Sequence, residues 1–219
     1  MSPVWLQIYH CLLAHWGPQH WWPGETPFEV MVGAILTQNT AWTNVERAMA
    51  NLRAAEALDG VTMGELSDAA LADLIRPAGC FNVKAHRLRA LCAYLGQEAV
   101  LDNPGDLASR AGLPELRRRL LAVPGIGEES ADAILLYALG LPSFVVDAYT
   151  RRIFRRLGLL ADGMSYDAIQ SLFHNHLPRD PQLYNEYHAL IVQLGKTSCR
   201  PQPRCATCPL ENRCPRNLI

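Results

Sequence analysis

Apolar residues in this chain recur at the spacing of a helix, and nowhere do they alternate as a half-buried strand requires. Thr26-Pro27-Phe28-Glu29 is a capping box with proline at the first helical position, and Phe28, Met31, Val32, Ile35 and Leu36 follow on one stripe. Ser67 opens a second stretch through Leu71, Leu74 and Ile75, which Pro77 and Gly79 stop. Ala131, Ile134, Leu135, Ala138 and Leu139 repeat the pattern, as do Tyr149, Ile153 and Leu157. Breakers fall between these segments rather than between short β-branched runs, so the expected fold class is all-α.

At 219 residues the chain is long enough to bury a core without staples. No apolar run reaches the roughly 18 residues that span a bilayer, and Met1 to Trp16 carries no basic region ahead of its apolar residues. A soluble cytoplasmic protein with no membrane partner is expected. Of seven cysteines, Cys11, Cys80 and Cys92 are scattered, while four crowd into the last twenty-one residues. That clustering points to metal ligation in a reducing compartment rather than to disulfides. The formal net charge of -1 excludes a uniformly basic nucleic-acid binder. Sixteen of the twenty Lys and Arg nevertheless lie in four clusters, Lys84 to Arg89, Arg110 to Arg119, Arg151 to Arg156 and Lys196 to Arg216, which suits a basic face on a neutral protein.

Leu120 to Ala131 reads LLAVPGIGEESA: an apolar helix end meets Pro124, then Gly125-Ile126-Gly127, and a second helix begins at once. Glycines permit a tight hairpin whose backbone N–H groups stay uncovered, and these donors can hold a DNA phosphate without reading sequence. Ile126 is the plug that seats the hairpin on the core, and carbonyls of the same turn are candidates for a monovalent cation. Twenty residues after Gly127, Phe144-Val145-Val146-Asp147 delivers one carboxylate to the mouth of a helix, where it is at least an N-cap.

Hairpin and aspartate at this distance resemble the helix-hairpin-helix DNA glycosylases of the endonuclease III superfamily. The resemblance runs from about Thr26 to Cys214. It implies two helical lobes, a six-helix domain over 24–141 that ends in the hairpin and a cluster domain from 1–23 plus 142–219, with the active site in a cleft between them. It implies a monomeric bacterial enzyme, nucleoid-associated when bound to double-stranded DNA containing a damaged base. The nucleotide is flipped out, and Asp147 stabilises the oxocarbenium-like sugar or activates the attacking water. Bifunctional members carry a lysine two residues after the second hairpin glycine, for a Schiff base with the sugar; here that position is Glu129. A carboxylate cannot form an iminium, so base release without strand cleavage is expected.

Cys199-x5-Cys205-x2-Cys208-x5-Cys214 places four thiolates on one proline-threaded loop, and by softness they suit zinc or a [4Fe-4S] cluster equally. The single tight loop resembles the C-terminal cluster loop of endonuclease III and the adenine glycosylases, which implies the cluster, although that loop has six residues in its first gap and this one has five. Trp21-Trp22-Pro23 and, beyond FEVMVGAILTQNT, Trp42 resemble the pocket motif of the bacterial 3-methyladenine glycosylases, which stacks a cationic alkylated base on aromatic faces. Lys196 is a further pocket candidate. Gln38 and Asn39 share the expectation of filling the gap left by the flipped base, and Asn82 and Lys84 resemble a second DNA-contacting loop. Two alternatives remain open: an oxidised-pyrimidine glycosylase with lyase activity, and a helix-hairpin-helix protein that binds lesions without excising them.

Overall fold

The structure, a computed structural model, describes residues 3–22 and 24–215. Pro23, expected in the base pocket, and Arg216, counted in the last basic cluster, lie outside the described residues. Among those residues there is no strand, and the all-α expectation holds. The helices are α1 (Pro3–Trp16), α2 (Pro27–Leu36), α3 (Trp42–Ala54), α4 (Gly60–Glu65), α5 (Asp68–Leu74), α6 (Phe81–Gln97), α7 (Leu107–Arg110), α8 (Leu113–Leu121), α9 (Glu128–Ala133), α10 (Ala148–Arg156), α11 (Tyr166–His176) and α12 (Pro181–Thr197). They form two compact units, Trp22–Leu141 and Met1–Trp21 with Pro142–Ile219.

The unit of Trp22–Leu141 is built around α2. Thr26 Oγ1 accepts from the Glu29 N–H at 3.2 Å, and Glu29 Oε2 accepts from the Glu25 N–H, one residue earlier than a strict capping box requires. Phe28 to Leu36 are all buried, and α3, α6 and α9 pack against this rod. A helix apolar on every side has to stand in the middle of its unit. Behind the hairpin, fully buried Asp132 takes Arg117 Nε and Nη2 at 3.0–3.2 Å, which fastens α9 to α8 and supplies the counter-charge a buried carboxylate needs. The stripe from Ala131 to Leu139 does not continue as a regular α-helix. Ile134–Ala138 form a π-helical turn, closed by the Leu139 N–H bonding Ile134 O five residues back at 3.1 Å.

In the other unit α10, α11 and α12 pack with α1 around an aromatic core. Phe144 stacks on Phe173 at 3.8 Å between centroids, Trp5 stacks on Phe154 at 5.1 Å, and Trp5 meets Phe173 edge-on at 4.8 Å. The buried Tyr187 hydroxyl donates to Trp5 O at 2.8 Å, so this polar tip is satisfied where it is desolvated. Ser165 and Asp180 cap α11 and α12 through the N–H groups of Ala168 and Gln182.

Candidate active site and metal centre

Asp147 is the N-cap of α10 and is buried. Its Oδ1 accepts from the Thr150 N–H at 2.7 Å and from the Thr150 hydroxyl at 2.8 Å, while Oδ2 lies 3.7 Å from His188 Nε2 on α12. Burial alone pushes this carboxyl up, but the His188 imidazole and the two Thr150 donors outweigh it and hold the carboxyl below its ordinary value. The group is therefore an anion inside the protein, the state needed to oppose a developing sugar cation.

The segment that delivers Asp147 is buried and outside any helix, so its backbone groups need partners that neither a helix nor a strand of its own provides. One face of α11 supplies them at a spacing of four residues. Tyr166 Oη accepts from the Val146 N–H at 3.2 Å, Gln170 Nε2 donates to Phe144 O at 2.8 Å, and His174 Nε2 accepts from the Phe144 N–H at 3.0 Å. Sequence reasoning missed this ladder, as it missed His188. The i, i+4, i+8 run of polar side chains was its only signal.

At the hairpin, Gly125 has φ +89, and a Cβ there would fall 2.1 Å from Arg87 Cγ, so the position needs glycine on both counts. Ile126 is buried as the plug, while Pro124, Gly125 and Gly127 are exposed together with Glu128 and Glu129. Gly125 O, one carbonyl of the candidate cation turn, accepts from Gln38 Nε2 at 3.0 Å.

Two expected DNA contacts are placed otherwise. Lys84 is 2% exposed; its ammonium donates to Leu36 O at 2.8 Å, to Ala78 O at 2.9 Å and to Thr40 Oγ1. An ammonium spent on three internal acceptors is not offered to a phosphate, so Lys84 is a brace between the loops after α2 and before α6. Burial, with Arg87 nearby, lowers its proton affinity despite an opposing contribution from Cys80. Gln38 is likewise committed: Nε2 donates to Gly125 O and to Ser130 Oγ at 2.9 Å, and Oε1 accepts from Arg87 Nη1. Asn39 beside it is exposed at φ +52, the left-handed loop tip that asparagine tolerates. Asn82 is exposed at the start of α6.

The aromatic candidates fall into two groups. In the unit of α2, Trp22 meets Trp42 edge-on at 5.1 Å and Tyr137 at 5.2 Å, and it packs on Gly33, where a Cβ would fall 3.0 Å from the indole. Tyr137 stands on the π turn, a position that the helical stripe did not reveal. Trp42 Nε1 donates to Glu46 Oε1 at 2.9 Å. In the other unit, Lys196 Nζ lies 5.8 Å from the Trp21 ring, within reach of a cation–π contact.

All four clustered cysteines, Cys199, Cys205, Cys208 and Cys214, line one cavity of about 30 Å³ together with Arg156. Burial pushes the Cys208 thiol up, the Leu210 N–H opposes this, and the sulfurs of Cys199, Cys214 and Cys205 push it further up. Arg156 grips the loop, with Nη1 on Arg200 O at 2.6 Å and 3.4 Å from Cys199 Sγ, and Nη2 on Pro201 O at 2.9 Å. Among the described residues no three His, Cys, Asp or Glu side chains are arranged to hold a single metal ion. Ser198, Pro203 and Glu211 complete the lining of the cavity.

Residues 32–179 match the family described as HhH-GPD superfamily base excision DNA repair protein. A protein of Methanocaldococcus jannaschii that bears the provisional name of DNA repair glycosylase is 46% identical over 212 residues, 95% of this chain and 94% of that protein. Among solved structures, the H. pylori 3-methyladenine DNA glycosylase bound to 1,N6-ethenoadenine superposes with a TM-score of 0.73 at 30% identity, covering 87% of this chain and 96% of that one. Endonuclease III in a non-covalent DNA complex gives a TM-score of 0.83 at 21% identity, covering 99% and 96%, a likeness of fold. With the family matched over residues 32–179 and such a relative along nearly its whole length, the chain belongs to the HhH-GPD superfamily and is a base excision repair DNA glycosylase.

Proposed function

We propose that this glycosylase hydrolyses the N-glycosidic bond of flipped alkylated purines and leaves the strand intact. One observation carries the chemistry: Asp147 is a buried carboxylate kept ionised by His188 and Thr150, with Oδ1 taking both Thr150 donors and Oδ2, 3.7 Å from His188 Nε2, the oxygen we assign to the sugar. As the base departs, positive charge grows at C1′, and a fixed anion that needs no reorganisation lowers the barrier. The same oxygen can take a proton from the attacking water. Glu129, exposed in the first turn of α9, stands where a Schiff-base lysine would be needed for strand cleavage.

The substrate class is supported by Trp22, Trp42 and Tyr137, which gather stacking surface around α2, and by the ligand-bound H. pylori enzyme at 30% identity. A cationic methylpurine gains roughly 0.5–2 kcal/mol over a neutral base on such faces and has a weakened glycosidic bond. On the unit that carries Asp147, Trp21 and Lys196 are further candidates for contact with the base. Phosphate is held by the exposed N–H groups around Pro124, Gly125 and Gly127, seated by Ile126; Asn39, rather than Gln38, is presented to the gap in the duplex, and Asn82 contacts the backbone nearby.

Cys199, Cys205, Cys208 and Cys214 are the ligands of a [4Fe-4S] cluster. Four cysteines lining one cavity could give one thiolate to each of four irons. The cluster supplies a cross-link for a tail whose prolines bar a helix, and Arg156 and the loop hold it against the end of α10. The test is single-turnover release from a methylated duplex. Asp147→Asn should bind DNA normally and lose excision by about 10²–10³-fold, the worth of one preorganised electrostatic group. Borohydride trapping of a covalent adduct, or equal rates in the two proteins, would overturn the reading.

A further inference from the structure

The two oxygens of the Asp147 carboxylate are used differently by the fold. Oδ1 takes both donors of Thr150, and Oδ2 faces Nε2 of His188 at 3.7 Å, with both side chains buried. That separation is too long for a hydrogen bond, so Oδ2 is held by the dipole of the imidazole without being saturated. An imidazole nitrogen without hydrogen would set its lone pair against that of the carboxylate, and therefore Nε2 carries the hydrogen. The approach is built into the helices. Tyr149, two residues past Asp147, lies on Gly195 of α12, where a Cβ would fall 2.2 Å from Tyr149 Cδ1, so the glycine lets α10 come down onto the helix that bears His188.

We infer that His188 is a positioning residue, which keeps Asp147 ionised and preserves Oδ2 as the one carboxylate oxygen available to the developing sugar cation. The inference deepens the proposed reaction and rests on Asp147 being the group that meets the sugar. The titratable and charged groups packed nearby take the following partners. From α11, Tyr166 is bonded to the Val146 N–H; on α10 itself, Arg151 turns to Met164 O and Arg152 to Cys199 O and Gly195 O. On α12, Lys196 lies over Trp21, and the His188 ring meets Phe144 edge-on at 6.4 Å. Without His188 only Thr150 and the helix terminus would oppose burial, and the carboxyl would take a proton at higher pH.

The experiment compares His188→Leu and His188→Gln in the full, cluster-loaded chain, the glutamine placing an N–H donor near the position of Nε2. The first measurement follows the Asp147 carboxyl carbon by 13C NMR, with Asp147→Asn identifying its resonance. His188→Leu should titrate about one pH unit or more above wild type and His188→Gln close to it. The second is the pH profile of single-turnover excision from methylated DNA: the acid limb should move up in His188→Leu with a loss of about 10- to 100-fold near its foot, and glutamine should restore it. Wild-type titration and wild-type profile in His188→Leu would overturn the inference. If the carboxyl titration moves but Asp147→Asn excises normally, the pairing stands and the catalytic reading of Asp147 falls. Should His188→Leu not fold, the comparison runs between wild type and His188→Gln against His188→Phe, with the same criteria.

Discussion

Replacing Lys84 by Met separates two roles that a lysine beside a DNA-contacting loop can have. The methionine keeps the length of the stem but removes donors to Leu36 O, Ala78 O and Thr40 Oγ1. Three hydrogen bonds from a charged donor at about 1.5–3 kcal/mol each set an upper bound. Against this stands the cost of burying an ammonium, several kcal/mol, which the mutant no longer bears. What remains is decided by stranded acceptors. Ala78 O keeps the Thr40 hydroxyl at 2.6 Å, whereas Leu36 O, at the end of α2, loses the ammonium. One stranded buried carbonyl and the loosened tie between two loops give a net loss of about 2–4 kcal/mol. For a chain of this size that lowers the melting temperature by about 5–15 °C, measured calorimetrically at pH 7. The slope of log affinity for undamaged duplex against log salt should be unchanged, because a brace releases no counterion. A phosphate contact would instead leave melting untouched and flatten that slope by about 0.9. A flattened slope with wild-type melting would refute the placement of Lys84 inside the protein.

Three other outcomes follow from the geometry. Gly125→Ala should weaken binding to undamaged and methylated duplex alike, since φ +89 and the Arg87 side chain both reject a Cβ; a filter-binding titration reads it, and an unchanged affinity would remove the hairpin from the interface. Gln170→Leu removes the donor to Phe144 O and should cost about 1–3 kcal/mol in a denaturant titration, with slower excision because the segment ahead of Asp147 loosens. Cys208→Ala should abolish the visible absorption of the purified protein and its complement of about four irons per chain, and one zinc per wild-type chain by metal analysis would disprove the cluster.

What could be read in advance divides along the distance over which each residue finds its partner. The caps at Thr26, Ser67 and Asp147 were legible because an N-cap and its donor lie within three residues of each other. The PGIG turn was legible for the same reason. The π turn was not, since over two turns a stripe from Ala131 to Leu139 satisfies a period of 3.6 or a slightly wider one equally well. Gln38 and Asn39 could not be told apart because the partners that decide between them, Gly125 and Ser130, are about ninety residues away. Lys84 and His188 are the instructive pair. The buried face of α6 is Lys84, Ala85, Leu88, Leu91, Cys92, Tyr94 and Leu95, and that of α12 includes Tyr184, Tyr187, His188, Ile191, Leu194 and Gly195. In each a titratable residue sits on the apolar stripe itself, where a solvated reading is barred. Such a residue has to be answered by groups of matching charge from another element, carbonyls for an ammonium and a carboxylate for an imidazole N–H. Its place on the stripe thus marks a brace or a site, and its chemistry names the kind of partner, before any fold is known.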